Sequence, residues 1–61
     1  MIKVGDMVEV VEVSPSDATL MSRGDIARVI KISDSITIRL LDQGISVKLD
    51  VNTKIKKVYY N

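Results

Sequence analysis

The fold is decided by two similar stretches of sequence, GDMVEVVEV at residues 5–13 and GDIARVIKI at residues 24–32. Each stretch opens with Gly-Asp and continues with mostly β-branched residues. Glycine reaches the positive φ that tight turns need, and an aspartate side chain can bond the nearby backbone. β-Branched side chains favour strands because they pack well on a pleated surface. The pattern therefore predicts two Gly-Asp turns, each of which starts a strand.

Neither of these strands alternates cleanly between apolar and polar residues. In the first strand, Val8 and Val10 share one face, whereas Val11 and Val13 share the other. The second strand shows the same change of phase after Val29. A β-bulge or sharp bend produces such a change, and small barrels need bends of this kind to close. We therefore predict an irregularity in the middle of each strand.

Three shorter strands follow, at about residues 36–41, 45–49 and 54–59. Asp42-Gln43-Gly44 predicts a tight hairpin with Gly44 in a left-handed conformation. Residues 50–52 predict a single helical turn before the last strand. Strict alternation places six aliphatic side chains inward: Ile36, Ile38, Leu40, Ile45, Val47 and Leu49.

The first long connection, Ser14 to Arg23, has two interpretations. Ser14 as N-cap, Pro15 at the first helical position and Asp17 three residues after the cap would start a short helix over residues 15–21, with Gly24 ending the segment. An irregular loop is the alternative. The residue pattern leaves both open.

Composition limits the fold to one small domain, residues 1–61, held together by packing alone. The apolar fraction is 46%, but Phe, Trp and Cys are absent, so the core is aliphatic and no disulfide or thiolate metal site exists. Neither a signal peptide nor a transmembrane segment is recognisable. We therefore expect a cytoplasmic protein without a membrane partner.

Four segments together are similar to a known class of small domains. They are VGDMVEV at residues 4–10, GDIARV at 24–29, RLLDQG at 39–44 and IKKV at 55–58. This combination resembles the small bacterial and phage SH3-like domains, which share a general pattern with KOW and Mind-bomb-type barrels. The resemblance implies an all-β, five-stranded SH3-like small barrel. It also implies a binding module, often from a phage or mobile element, that acts on a host protein or complex.

Catalysis and metal binding are poorly supported by the residue types. The chain has no His and no Cys, so the commonest general base and the thiol nucleophile are missing. No Gly-x-Ser-x-Gly elbow or calcium-binding aspartate loop occurs. Asp25, Asp34, Asp42 and Asp50 all fall at predicted turns, where aspartate commonly caps the backbone. We expect no enzyme activity, cofactor or metal.

A protein partner is the first binding hypothesis. Leu20, Met21 and Arg23 lie in the first long loop, which small barrels often use for contacts. Four further aliphatic residues are expected on the outside, where they would mark an interface or a homodimer: Val11, Val13, Ile30 and Leu41. Alternatively, the loop folds back and covers them.

Sequence-independent binding of nucleic acid is the second hypothesis. Its predicted residues form a basic patch that would contact phosphates: Arg39, Lys48, Lys54, Lys56 and Lys57. Alternatively, these side chains form a solvated face that protects a sheet edge. Tyr59 and Tyr60 are the only aromatic residues, and adjacent strand residues point to opposite faces. We expect Tyr59 to pack as a lid on the end of the barrel, and Tyr60 to be exposed or part of a frayed tail.

Overall fold

The computed structural model describes residues 1–59 and is an all-β protein. Its five strands form one antiparallel sheet in the order β4-β3-β2-β1-β5, so β4 and β5 are its edges. The all-β prediction and the number of strands are confirmed. The strand bounds are β1 (Met7–Glu12), β2 (Ile26–Ile32), β3 (Ile36–Leu40), β4 (Ser46–Lys48) and β5 (Lys54–Lys57).

The two Gly-Asp turns clamp β1 and β2 onto each other in the same way. The Gly5 amide donates to the Val29 carbonyl (2.8 Å), and the Val29 amide donates to the Asp6 carbonyl (2.9 Å). The second turn, residues 24–25, holds Val10 through the equivalent two bonds, of 2.7 and 2.9 Å. Its glycine has φ of 96° and Gly5 has φ of 97°, a region that side chains with a Cβ rarely adopt. Each turn therefore starts its own strand and also pins the other strand.

A β-bulge lies immediately beyond each clamped valine. The pairing of β1 with β5 shifts register between Val10 and Glu12, and that of β2 with β3 shifts between Val29 and Lys31. Both predicted irregularities are confirmed. Because a bulge bends its strand and increases the local twist, a single sheet can enclose a core on its inner face.

The core on that inner face is aliphatic apart from one methionine. The prediction of inward residues is wrong at Ile45, which remains 37% exposed. Ile45 precedes β4 and belongs to the hairpin, where its carbonyl accepts the Leu40 amide, so the alternation of the strand does not reach it. The buried core residues are Val8, Val10, Met21, Ala27, Val29, Ile38, Leu40, Val47 and Leu49.

The first long loop is a series of turns rather than a helix. The Asp17 amide donates to the Ser14 carbonyl (3.0 Å), and the Met21 amide donates to the Asp17 carbonyl (3.1 Å). These bonds form isolated turns over residues 15–20, so the irregular-loop interpretation is confirmed. No helix in residues 1–59 is long and apolar enough to cross a membrane.

Asp17 ties this loop to the connection between β4 and β5. Its carboxylate is buried, and Oδ2 accepts the Thr53 hydroxyl at 2.6 Å and the Asp50 amide at 3.0 Å. The Ser14 amide donates in turn to Thr53 Oγ1 at 3.0 Å. Because buried polar groups are costly unless they are paired, this network stabilises one position of the loop against the sheet.

The connection between β4 and β5 is a hydrogen-bonded turn, without the helical turn expected at residues 50–52. The Thr53 amide donates to the Asp50 carbonyl (3.1 Å), and the Asn52 amide donates to Asp50 Oδ2 (3.0 Å). The Leu49 amide donates to the Ile36 carbonyl (2.8 Å), which ties this turn to the start of β3.

Asp6 makes the stability of the β1–β5 edge dependent on pH. The Lys3 backbone amide donates to Asp6 Oδ2 (2.9 Å), and Lys57 Nζ lies 3.5 Å from the same oxygen. The amide and then the lysine charge hold the pKa of Asp6 below its ordinary value of 3.8. A carboxylate with a lowered pKa in the folded state stabilises the fold above the unfolded pKa, and this stabilisation is lost as pH falls through the folded pKa.

We therefore expect Asp6→Asn to lower the thermal midpoint at pH 7 but not once the pH is well below 3.8. The wild type and the variant are compared by thermal unfolding between pH 2 and pH 7, which cancels the titration of the other carboxyl groups. A difference between the two midpoints that stays constant over this range would contradict the assignment.

Candidate functional site

Four basic side chains lie together on the outer face of β2, β3 and β4. Arg28 on β2 is directly opposite Arg39 on β3. Lys31 and Lys48 are both opposite Thr37, one from each side. All four basic side chains are exposed. We call this group, Arg28, Lys31, Arg39 and Lys48, the basic face.

No carboxylate interrupts the basic face. Strands β2, β3 and β4 contain no Asp or Glu, so their four positive charges have no partner within these strands. The acidic strand residues, Glu9 and Glu12, are both on β1. Since adjacent strands are about 4.8 Å apart and residues i and i+2 on one strand about 7 Å, the backbone positions of the four residues lie within a patch roughly 10 Å across.

The pairing of Arg28 with Arg39 is unfavourable for folding. Like charges directly opposite each other on antiparallel strands repel, and such pairs cost a few tenths of a kcal/mol to about 1 kcal/mol. Arg28 Nη1 donates to the Gly5 carbonyl (2.9 Å), which holds its guanidinium near the first Gly-Asp turn. That hydrogen bond involves Arg28 alone and does not compensate the charge of Arg39. The arrangement therefore carries a repulsion that an anion on the face would relieve.

The five residues predicted as one basic patch divide into two groups. Arg39 and Lys48 face outward as predicted and belong to the basic face. The three lysines of β5 lie at the β5 edge, two strands beyond β2. Lys56 Nζ is 3.9 Å from Glu9 Oε1, Lys57 pairs with Asp6, and Lys54 is opposite Glu12. Acidic neighbours on and beside β1 thus offset the charge of Lys56 and Lys57.

Arg28 and Lys31 are members of the basic face that sequence reasoning missed. With strict alternation after Arg28, Lys31 falls on the inner face with Ala27 and Val29. The bulge between Val29 and Lys31 inserts one extra residue and turns Lys31 to the side of Arg39. The change of phase in the apolar pattern of β2 could have revealed this, because a bulge after Val29 moves Lys31 from the inner to the outer face.

Comparison with protein-family models, with curated proteins and with solved structures gave no match to this chain. The function of the chain is therefore inferred from its own geometry.

The residues predicted to bind a protein are only partly available. Leu20 is 42% exposed and Arg23 is exposed, but Met21 is 3% exposed and packs in the core. The prediction of Met21 as a contact residue is wrong because the turn at Asp17 directs the chain inward at that point. Gln43 Nε2 donates to the Leu20 carbonyl (3.2 Å), so the loop rests against the β3–β4 hairpin.

The aliphatic residues expected outside also divide. Ile30 and Leu41 are exposed, 40% and 49% respectively. Val11 and Val13 are half-buried. Val13 packs against the core, which contradicts its outward placement. Ile30 and Leu41 are therefore the members of this set that remain exposed on the surface.

Tyr59 does not form a lid on the end of the sheet. Its side chain is 77% exposed, and Lys57 Nζ lies 5.2 Å from the centre of its ring. Tyr60 lies outside the described residues. Within residues 1–59 no three acidic side chains come close enough together to hold a metal ion.

Proposed function

We propose that this chain is a non-catalytic binding module whose basic face binds the phosphate backbone of nucleic acid without reading its sequence. The observation that carries the proposal is the concentration of four cations, and no anion, on three adjacent strands. Contacts between basic side chains and phosphates release counterions and supply essentially all of the affinity in non-specific binding. The chain as a whole carries only +1, so the attraction is local to this face.

We further propose that the sheet is an SH3-like barrel. The strand order β4-β3-β2-β1-β5, with β2 in the centre between β1 and β3, supports this architecture. The two bulges support it as well, because small barrels close by bending their strands at such points. A barrel of this kind presents the outer face of β2, β3 and β4 as a curved surface on a rigid support.

Backbone contact without base stacking follows from the side chains present. Sequence readers need side chains that reach base edges, and single-strand binders usually add aromatic rings on which bases stack. The outer positions of β2, β3 and β4 carry no aromatic ring. Their remaining polar side chains, Thr37 and Ser46, have hydroxyls of the kind that donate to phosphate oxygens.

A salt titration tests the proposal. For four phosphate contacts, log K falls with log salt at a slope of about −3 on single strands and about −4 on duplex. Between 50 and 200 mM salt we expect a loss of affinity of roughly 50-fold on single strands and 150-fold on duplex. Fluorescence anisotropy of labelled oligonucleotides of two unrelated sequences measures both quantities. No detectable binding at 50 mM salt, or affinities that differ strongly between the two sequences, would refute the proposal.

A further inference from the structure

An open groove lies between the two turns at one end of the sheet. The β2–β3 turn and the start of β3 form one side, and the β4–β5 connection forms the other. Its volume is about 220 Å³. The residues that matter for its chemistry are Asp34, Ile36, Leu49, Asp50, Val51 and Ile55.

The groove combines apolar walls with two carboxylates. Four of the eight lining residues are aliphatic, and none is cationic. Asp34 and Asp50 form no ion pair with any described residue. Lys54 lies at the margin, where its Nζ approaches the Val51 carbonyl at 3.4 Å and not a carboxylate. The lining therefore supplies two carboxylates that a cationic ligand could pair with.

The wall that carries Asp50 is held in place before any ligand arrives. The Asp50 amide donates to the buried carboxylate of Asp17, and Asp50 Oδ2 accepts the Asn52 amide. The bond from the Leu49 amide to the Ile36 carbonyl joins the two sides of the groove (2.8 Å). A preformed site lowers the entropic cost of binding.

The size of the groove limits its occupant to one long side chain. Sites for drug-sized molecules measure about 300–1,000 Å³, whereas an apolar cavity of about 150 Å³ holds benzene. The volume of the groove lies between that of the benzene-sized cavity and that of a drug-sized site. An aliphatic stem that contacts the apolar walls, with a cationic head beside the carboxylates, satisfies both its size and its charge.

We infer that this groove docks an arginine side chain of a protein partner. Arginine fits better than lysine because its planar guanidinium is weakly hydrated and presents donors in several directions. It can therefore bond two carboxylates on separate turns, which a compact ammonium does less well. A protein contact here would use a different surface from the basic face and goes beyond the function proposed above.

An NMR titration of the ¹⁵N-labelled protein with the blocked tripeptide acetyl-Ala-Arg-Ala-amide tests the inference. We expect saturable shifts of backbone amides at residues 34–36 and 49–53. The citrulline tripeptide, which has the same shape without the charge, should bind at least about fivefold more weakly, and the lysine tripeptide should also bind more weakly. Equal binding of the citrulline or the lysine peptide, or shifts centred on the acidic residues of β1, would overturn the assignment.

Matched variants separate the groove from the net charge of the protein. Asp34→Asn is expected to weaken the arginine peptide about two- to fivefold, the usual range for one exposed charge pair. Asp42→Asn makes the same change of charge at the exposed β3–β4 hairpin, outside the groove, and should leave the affinity unchanged. Equal losses of affinity in Asp34→Asn and Asp42→Asn would refute the site. The double variant Arg39→Gln/Lys48→Gln, which changes only the basic face, should bind the peptide as tightly as the wild type.

Discussion

Replacement of Asp17 by alanine is expected to remove about 3 kcal/mol from the free energy of unfolding. The change leaves the buried Thr53 hydroxyl and the part-buried Asp50 amide without their acceptor. A buried donor without a partner costs about 1–3 kcal/mol. A domain of this length has a total stability of roughly 3–9 kcal/mol, so the variant loses a large part of it. Denaturant unfolding followed by circular dichroism measures the effect, and the thermal midpoint should fall by roughly 12–24 °C.

Two variants control this prediction. Asp17→Asn keeps an oxygen acceptor in the same position and should cost at most about 1.5 kcal/mol. Asp25→Ala removes a carboxylate that accepts only the exposed Ser22 amide, at 2.8 Å, and water can replace that bond. Its cost should be about 1 kcal/mol. Similar losses of unfolding free energy for Asp17→Ala and Asp25→Ala would show that the buried network stabilises the fold no more than an exposed hydrogen bond does.

The role of Asp17 could not have been inferred from its position in the sequence. Ser14, Pro15 and Asp17 predict a helix cap, because that interpretation uses only neighbours along the chain. Thr53 is 36 residues away, and the bond between its hydroxyl and Asp17 forms only when the sheet brings the first loop beside the β4–β5 connection. The burial of Met21 has the same origin, since its place in the core follows from the position of the loop.

Local patterns did predict the elements that local chemistry controls. The strands, the two bulges and the left-handed Gly44 depend on β-branching, phase and the need for positive φ (70° at Gly44), which act over a few residues. The location of the basic face depends instead on register and strand order. A bulge decides the side of Lys31, and strand order separates the lysines of β5 from Arg39. Sequence alone therefore predicted a basic patch but grouped the wrong residues within it.

The groove and the stability network share one structural element. Asp17 holds the Asp50 amide, and Asp50 forms part of the groove wall. A change at Asp17 therefore affects both the stability of the fold and the shape of the groove. Among the described residues, Asp34 makes no hydrogen bond to the first loop. A substitution at Asp34 therefore tests the groove without disturbing the Asp17 network.

The double variant Arg39→Gln/Lys48→Gln is expected to lose most of the nucleic-acid affinity. Each phosphate contact contributes about 0.7 to the slope of log K against log salt on single strands. Removing two contacts should reduce the slope by about 1.4. If the two lost contacts contribute no affinity near 1 M salt, the double variant should bind roughly 60-fold more weakly than the wild type at 50 mM salt. Anisotropy titrations at several salt concentrations give both values.

The fold should survive this change. Arg39 is directly opposite Arg28, so its removal relieves a repulsion between like charges. We expect the free energy of unfolding to stay the same or to rise by up to about 1 kcal/mol. Lost binding in a variant of equal or higher stability cannot then be assigned to unfolding.

The matched control is Lys54→Gln/Lys56→Gln, which removes two positive charges from β5 instead. The net charge becomes the same in both variants, but Lys56 lies beside Glu9 and Lys54 is opposite Glu12. Neither lysine belongs to the basic face, and Lys56 is already paired with Glu9, so the salt slope should remain near −3 on single strands. A loss in the control as large as that in the Arg39 and Lys48 variant would place the phosphate contacts on β5 and refute the basic face. Equal and small losses in both would mean that neither surface binds phosphate.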